Sequence, residues 1–373
     1  MKIVFIGGRD IHEVGGIENY MLNLASQLVT MGHEPIVFCE SNQNTEKIVN
    51  GFKVIYLKGL QSNLLCKPWV GLKATLYTIF KEKNVDFIHY NAWPPSLSSP
   101  LANVFGIKTL MQGHGLEWQR SKYSSFQQKI MKFMEYITAH TNRNLIMCSD
   151  AQTRYFKEVY NRTATTIPTA INLPDSDSNL TADSSILERF GLRKKKYFLF
   201  LARLVQDKNP NYLISAFKKA HIEDYSLVIA GNNPANEAYV NHLHSLAGDC
   251  TNIVFTNAVY GIDKEALLEN AYAFCIPSTI EGLSISLLEA MSRKIPIIAS
   301  SIAANKEILS ENSAVWVSPE NENDLINAFE FAINHKQFLQ NTIESNYLKV
   351  ISQYTWQSVT KKYVDFLWSI QKK

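Results

Sequence analysis

Met1-Lys-Ile-Val-Phe-Ile-Gly-Gly8 opens the chain with a short apolar run that ends in glycines, and Ile36-Val-Phe-Cys39 is a second such run. Between them Ile17, Met21, Leu24 and Leu28 recur at i, i+4, i+7 and i+11, one stripe of a helix that Gly32 ends. Strand, helix and strand in this order predict a βαβ unit, since parallel strands covered by helices read as continuous apolar runs. Val54–Leu57, Phe87–Tyr90, Thr109–Gln112 and Leu145–Cys148 continue the series. Tyr197–Ala202, Leu227–Ala230, Ile253–Phe255, Ala273–Ile276 and Ile295–Ala299 form another series, with helical patterns between them. The expected fold class is α/β, with two open, doubly wound sheets.

The length of 373 residues suits two domains. Residues 169–185 are polar, contain Pro174 and lack periodicity, so the division is expected there: a first domain over 1–175, a linker over 176–190 and a second domain over 191–354. From Trp356 onward Val359, Tyr363, Phe366 and Leu367 share one face of an amphipathic helix, which must dock on something.

Hydrophobic residues at 46% and charged residues at 19% exclude disordered, collagen-like and coiled-coil chains. A net charge of +3 is too weak to argue for nucleic acid, although residues 1–176 carry 18 basic against 13 acidic side chains. The five cysteines are scattered, with no CxxC, which suits a reducing cytosol and neither a disulfide framework nor a zinc site. No apolar run reaches the ~18 residues of a membrane span, and the N-terminus reads as a strand rather than a signal peptide.

Three loops following strands carry candidate chemistry. Gly7-Gly8-Arg9-Asp10-Ile11-His12-Glu13-Val14-Gly15-Gly16 leads into the first helix, where glycine lets backbone N–H groups approach an anion. The spacing is not GxGxxG, yet Glu40 ends the second strand where a ribose-binding acid of a dinucleotide fold would sit. Arg203 and Lys208 lie in the loop leaving the strand Tyr197–Ala202, where two cations hold a pyrophosphate, or simply meet solvent. Pro277-Ser-Thr-Ile-Glu281-Gly-Leu-Ser-Ile-Ser-Leu-Leu-Glu289 is again strand, loop and helix. If the helix starts near Ser284, Glu281 in the loop suits sugar hydroxyls and Glu289 the two hydroxyls of a ribose; otherwise both are ordinary surface acids. His114, flanked by glycines at a strand's carboxyl end, can reach a ligand. Asp175-Ser-Asp177 has the form of a metal–nucleotide DxD, but its place in the linker favours solvated acids. Segment 117–143 carries Arg120, Lys122, Lys129, Lys132 and Arg143 against only Glu117 and Glu135, interleaved with Trp118, Tyr123, Phe126, Phe133 and Tyr136, which fits either an anionic bilayer surface or a solvated helix face.

Taken together, the Gly15-Gly16 loop, Arg203 with Lys208, the Glu281–Glu289 spacing within EGLSISLLEAMS and Pro296 within KIPIIAS resemble the retaining glycosyltransferases of family 4. His114-Gly-Leu-Glu-Trp-Gln-Arg resembles a subgroup of that family acting in bacterial surface polysaccharide assembly. The resemblance implies the GT-B fold, two Rossmann-like domains facing each other across a cleft, with the terminal helix 355–373 completing the first domain. It implies that Arg203 and Lys208 neutralise the donor diphosphate, that Glu281 faces the donor sugar and that His114 lies near the reaction centre. Glu289 would bind ribose, and Gly16, Gly282, Leu283, Ser284 and Ile285 would line the donor site. Ser284 stands where the family commonly has glycine, Thr169-Ala170-Ile171-Asn172 where Asn-Gly-Val-Asp is usual, and Lys294 where a glycine precedes the last strand.

The expected function is therefore transfer of a hexose or deoxyhexose from a nucleoside diphosphate sugar to a saccharide, lipid-linked in the favoured reading, with retention. The nucleotide sugar is a co-substrate, and neither cofactor nor metal is expected. The expected location is the cytoplasm, with the inner membrane face as the surface for 117–143 and no nucleic-acid partner. A nicotinamide-dependent dehydrogenase and a catalytically inactive sugar-nucleotide-binding protein are the alternatives.

Overall fold

Strand and helix alternate from Lys2 onward in the computed structural model, which describes every residue except 12–14, 63–64, 117, 119–123, 175–184 and 373. The chain divides into two compact units, one of Met1–Ala170 with Trp356–Lys373 and one of Ile171–Thr355.

The first unit begins with β1 (Lys2–Gly8), α1 (Gly16–Thr30), β2 (Glu34–Ser41), β3 (Thr45–Val49), β4 (Phe52–Lys58) and α2 (Cys66–Lys81). It continues with β5 (Phe87–Tyr90), α3 (Trp93–Ser96), α4 (Ser99–Val104), β6 (Lys108–Gly113), α5 (Ser125–Thr141), β7 (Asn144–Met147), α6 (Asp150–Tyr160) and β8 (Thr165–Thr166). The sheet order is β3-β4-β2-β1-β5-β6-β7-β8. Its central strands are buried on both faces, as six of the seven residues of β1 show. The hairpin strand β3 is antiparallel to β4 and exposed along its length, and its turn is Asn50-Gly51, both at positive φ (46° and 84°).

The second unit contains α7 (Ser185–Arg189), β9 (Tyr197–Leu201), α8 (Pro210–Lys219), β10 (Ser226–Ala230), α9 (Glu237–Ala247), β11 (Ile253–Asn257), α10 (Gly261–Asn270) and β12 (Ala273–Ile276). After these come α11 (Ile285–Ser292), β13 (Ile297–Ser300), α12 (Ala303–Ile308), β14 (Val315–Val317), α13 (Glu322–Asn334) and α14 (Lys336–Gln353). The order β11-β10-β9-β12-β13-β14 is parallel throughout. The last helix, α15 (Trp356–Gln371), belongs to the first unit, where Trp356, Val359, Tyr363 and Leu367 bury against α1 and the sheet. The Lys108 ammonium donates to the carbonyls of Ile370 and Gln371 at 2.7 and 3.1 Å, which neutralises the orphan acceptors at the end of α15.

Three expectations need correction. The linker over 176–190 is too long, because Ser185–Arg189 is helical and Ile186 and Leu187 sit in the core of the second unit. The boundary falls at Ala170/Ile171 rather than after residue 175, since Ile171 already forms an isolated β-bridge with Thr355 and donates its N–H to the Tyr354 carbonyl. Edge strands β3, β8 and β14 were not expected at all. The Asp175–Asp177 motif lies outside the described residues.

Candidate functional site

In the second unit β9 is followed outward by β10 and β11 on one side, while β12 leads outward to β13 and β14 on the other. β9 and β12 are neighbours in the sheet, so the connections leaving them diverge and open a crevice at their carboxyl ends, the ligand position of open α/β sheets. The loops bordering this crevice are 202–209 and 277–284, which carry Arg203, Lys208 and Glu281.

One backbone bond and one from the Asn209 side chain stitch the two loops together. Thr279 N–H donates to the Asp207 carbonyl at 2.9 Å, and the Asn209 amide donates to the Pro277 carbonyl at 2.9 Å. Asn209 stands in the left-handed region at φ 53°, turning the chain into α8 with Pro210 at its first position. This turn delivers the Lys208 ammonium onto the Glu281 carboxylate, which is 7% exposed. The Ser278 hydroxyl donates to the same oxygen at 2.9 Å. Ser300 Oγ in turn donates to the Ser278 carbonyl at 2.6 Å, and Asn305 donates to Ser300, so a buried polar chain fixes the loop from below. Arg203 is exposed at the end of β9 beside Leu204, which is buried in the core and anchors the loop.

Ser284 is the N-cap of α11, its hydroxyl accepting from Leu287 N–H at 3.3 Å. The helix therefore starts one residue after Ser284, and its unsatisfied N–H groups lie three positions beyond Glu281. Gly282, Leu283 and Ile285 surround that start and are half-buried. Glu289, over a turn further along, receives Lys264 of α10 at 2.7 Å. Arg293 is buried beside it, donating to the Glu289 carbonyl at 3.0 Å and contacting Glu265, and burial pushes its guanidinium down to about 10. Both candidate glutamates are thus held by a lysine. Lys208 and Glu281 come together in one loop pair, while Glu289 sits with a separate partner.

In the first unit the glycine loop serves an internal anion. The Glu18 carboxylate, 5% exposed on the first turn of α1, accepts Arg9 N–H at 3.0 Å. A Cβ on Gly15 would fall 2.0 Å from Glu18 Oε2, whereas one on Gly16 would meet no atom within 4 Å. A carboxylate at this helix start repels a pyrophosphate, which argues against dinucleotide binding here. His114 follows β6, half-buried and edge-on to Tyr20 with ring centroids 5.0 Å apart. Beneath it His89 is fully buried, stacked on Tyr363 and bonded to the Tyr363 hydroxyl at 2.9 Å. Burial, with nearby His114 adding to it, pushes His89 down to about 3.

A cavity of about 640 Å³ on the α8–α9 side of loop 202–209 is lined by Asp207, Asn211, Tyr212, Tyr239, His242 and Glu320, among others, and among the described residues by no lysine or arginine. Its chemistry does not suit a diphosphate. Ser278, Asn209, Thr279 and Lys264 were missed from the sequence. Ser278 stands three positions before Glu281, a spacing that one turn brings together, whereas Lys264 lies on a separate helix with no local signal.

Comparison with known proteins places one family model on each unit, Glycosyltransferase Family 4 on residues 14–174 and Glycosyl transferases group 1 on residues 185–349. An uncharacterized glycosyltransferase of Methanocaldococcus jannaschii is 26% identical over 368 residues, 94% of each chain. A Campylobacter jejuni α-1,4-N-acetyl-D-galactosaminyltransferase, named for an acceptor built on diNAcBac-PP-undecaprenol, is 23% identical over 89% of each chain. The solved Anabaena HepE structure, in complex with UDP, superposes with a TM-score of 0.81 at 15% identity, covering 99% of this chain and 100% of that one. With both models matched and two α/β sheets, one parallel throughout and one parallel but for the edge strand β3, the chain belongs to the glycosyltransferases of family 4, with the GT-B fold.

Proposed function

We propose that the second unit binds a nucleoside diphosphate sugar and that the chain transfers its hexose or deoxyhexose, with retention, to a lipid-linked saccharide held by the first. The observation that carries this reading is the Lys208–Glu281 pair between the loops that leave the neighbouring strands β9 and β12, with Arg203 exposed in the first loop and α11 starting at the end of the second. The C1–O bond to the diphosphate breaks, an acceptor oxygen bonds to C1 on the same face, and the acceptor proton passes to a departing phosphate oxygen. The protein's task is to stabilise charge on the leaving group, which the two cations and the helix N-terminus supply without metal. Glu281 acts by holding Lys208 and facing the sugar. Glu289 takes the ribose hydroxyls, exchanging contact with Lys264, and Gly16 and His114 serve the sugar side from the first unit.

The UDP complex of the Anabaena protein supports a nucleotide donor, and the undecaprenol-linked acceptor in the Campylobacter name supports a lipid-linked one. Function in bacterial polysaccharide assembly, cytoplasmic at the inner membrane face, completes the reading. Among the described residues no helix is long and apolar enough to cross a membrane.

Calorimetric titration with UDP, GDP, dTDP and NAD in the presence of chelator, on wild type and Arg203→Ala, tests it. One nucleoside diphosphate is expected to bind without metal and to weaken about 10- to 100-fold in the variant, the loss of a charge-assisted contact. Equal binding by the variant, or binding of NAD alone, overturns the assignment.

A further inference from the structure

The cavity of about 640 Å³ in the second unit also stands at the carboxyl ends of its strands, where open α/β sheets take their ligands. Asp207 and Tyr212 follow β9, Asn236 and Tyr239 follow β10, Thr279 follows β12 and Glu320 follows β14. Its helices, α8 and α9, cover one face of the sheet with α13, through Leu213, Leu243 and Phe329, whereas α10 and α11 cover the other through Leu267 and Leu287. The loop pair 202–209 and 277–284 serves both sides. Asp207 and Thr279 line the cavity, while Lys208, next in the chain after Asp207, meets Glu281. Thr279 donates to the Asp207 carbonyl through its N–H at 2.9 Å and its hydroxyl at 3.2 Å, which fixes that part of the lining.

The chemistry of this lining suits a neutral ligand rich in hydroxyls. Among the described residues no lysine or arginine lines it, which leaves a phosphate or a nucleotide without a counter-charge. Asp207 and Glu320 supply carboxylates, and each carboxylate accepts from several donors. The amides supply donors in turn. Asn236 caps α9, its side-chain oxygen accepting Tyr239 N–H at 3.2 Å, and the Asn211 oxygen accepts the Tyr239 hydroxyl at 3.0 Å. Each of these amides therefore has its oxygen in use and an NH2 group to offer, which a hydroxyl can accept and an organic cation cannot. The Asn211 bond also fixes the Tyr239 ring, which lies with its centroid 6.3 Å from that of His242 one turn along α9. Burial and the nearby Asp207 carboxylate push the Tyr239 phenol up to about 12, so it stays a neutral hydroxyl on an apolar ring.

We propose that this cavity is a second saccharide site, which takes a neutral mono- or disaccharide against Tyr212 and Tyr239 with its hydroxyls on Asp207, Glu320, Asn211 and Asn236. At about 640 Å³ it falls within the roughly 300–1,000 Å³ of small-molecule sites. Hydroxyls donate and accept at once and so use both the carboxylates and the amide NH2 groups, while the tyrosine rings cover the C–H face of a pyranose. The site lies within the second unit and uses neither Arg203 nor Lys208, so it goes beyond the proposed function and does not depend on it. A nucleotide sugar finds no cation there for its diphosphate, and the occupant is a glycan rather than a donor.

The test is saturation-transfer difference NMR of the full chain with D-glucose, D-galactose, D-mannose, L-rhamnose, N-acetyl-D-glucosamine and maltose at millimolar concentration, and with spermidine as an organic cation. Tyr239→Ala, Glu320→Gln and Arg203→Ala are compared with wild type, with thermal unfolding as the control for folding. At least one saccharide is expected to bind wild type and Arg203→Ala alike, to bind Tyr239→Ala about tenfold more weakly and to bind Glu320→Gln about threefold more weakly. Glu320 is exposed, so its variant carries the test even if Tyr239→Ala fails to fold. The proposal falls if no saccharide binds wild type, or if binding is unchanged in both Tyr239→Ala and Glu320→Gln. Binding lost in Arg203→Ala places the sugar at the crevice instead, and binding of spermidine in place of the saccharides makes the ligand a cation; either result overturns the assignment. Failure of the nucleotide titration with this saccharide signal intact removes the donor reading alone, and the reverse removes this site alone.

Discussion

Replacing Lys208 with methionine removes the cation that meets Glu281 and leaves a carboxylate, 7% exposed, that accepts from the Ser278 hydroxyl at 2.9 Å. An ion pair broken in a buried setting costs ~3–5 kcal/mol; because Lys208 itself is about one-fifth exposed, about 2–4 kcal/mol is expected here. For a unit of this size that lowers the unfolding midpoint by roughly 6–12 °C. Lys208→Met/Glu281→Gln removes the orphan charge along with its partner, so most of the stability returns. Activity does not return, because the diphosphate still lacks its cation, and turnover stays about 10²-fold down. Scanning calorimetry of the four proteins of this cycle, alongside release of nucleoside diphosphate from the donor, separates the two roles. A single variant that melts with wild type refutes the structural part of the reasoning, and a double variant with wild-type turnover refutes the catalytic part.

Protonation of His89 provides a second test. The unfolded chain takes up this proton near pH 6.5, the folded chain only near pH 3, so the contribution is complete above pH 6.5 and is lost as pH falls below it. At pH 5 the loss is about 2 kcal/mol, and a His89→Phe variant is expected to flatten the slope of stability between pH 7 and 5; an unchanged slope refutes it. Glu289→Gln is expected to weaken binding of the nucleoside diphosphate about tenfold while leaving inorganic pyrophosphate unaffected, as calorimetry can check. Equal weakening of both ligands would place Glu289 at the phosphates rather than the ribose.

Elements with strong local pattern were legible. The apolar runs of β1, β2, β5 and β12 and the stripe of α1 decide their own type, because a strand buried on both faces tolerates little else. Edge strands escape because they bury little: β3 is exposed and charged, and its one local signal is the Asn50-Gly51 dipeptide, whose positive φ makes the hairpin turn. Helix α7 escaped because five residues give no period to read. The departure at Lys294 has a conformational explanation, since φ there is 53°, a region that favours the glycine of the family pattern.

The order of strands and helices, the two-sheet architecture and the loops bearing Arg203, Lys208, Glu281, Glu289 and His114 follow from residues adjacent in the chain, where hydrophobic period and glycine placement act locally. Partnership is another matter. Lys208 meets Glu281 across 73 positions, Lys264 meets Glu289 across 25, and Tyr363 meets His89 across 274. Such pairings depend on which strands become neighbours and on the turn each loop takes, and the period of a helix does not encode them. The seating of α2 belongs with these: Gly71 lies so close to Pro95 that the small face of the helix turns inward, while Leu72, Leu76 and Phe80 stay exposed.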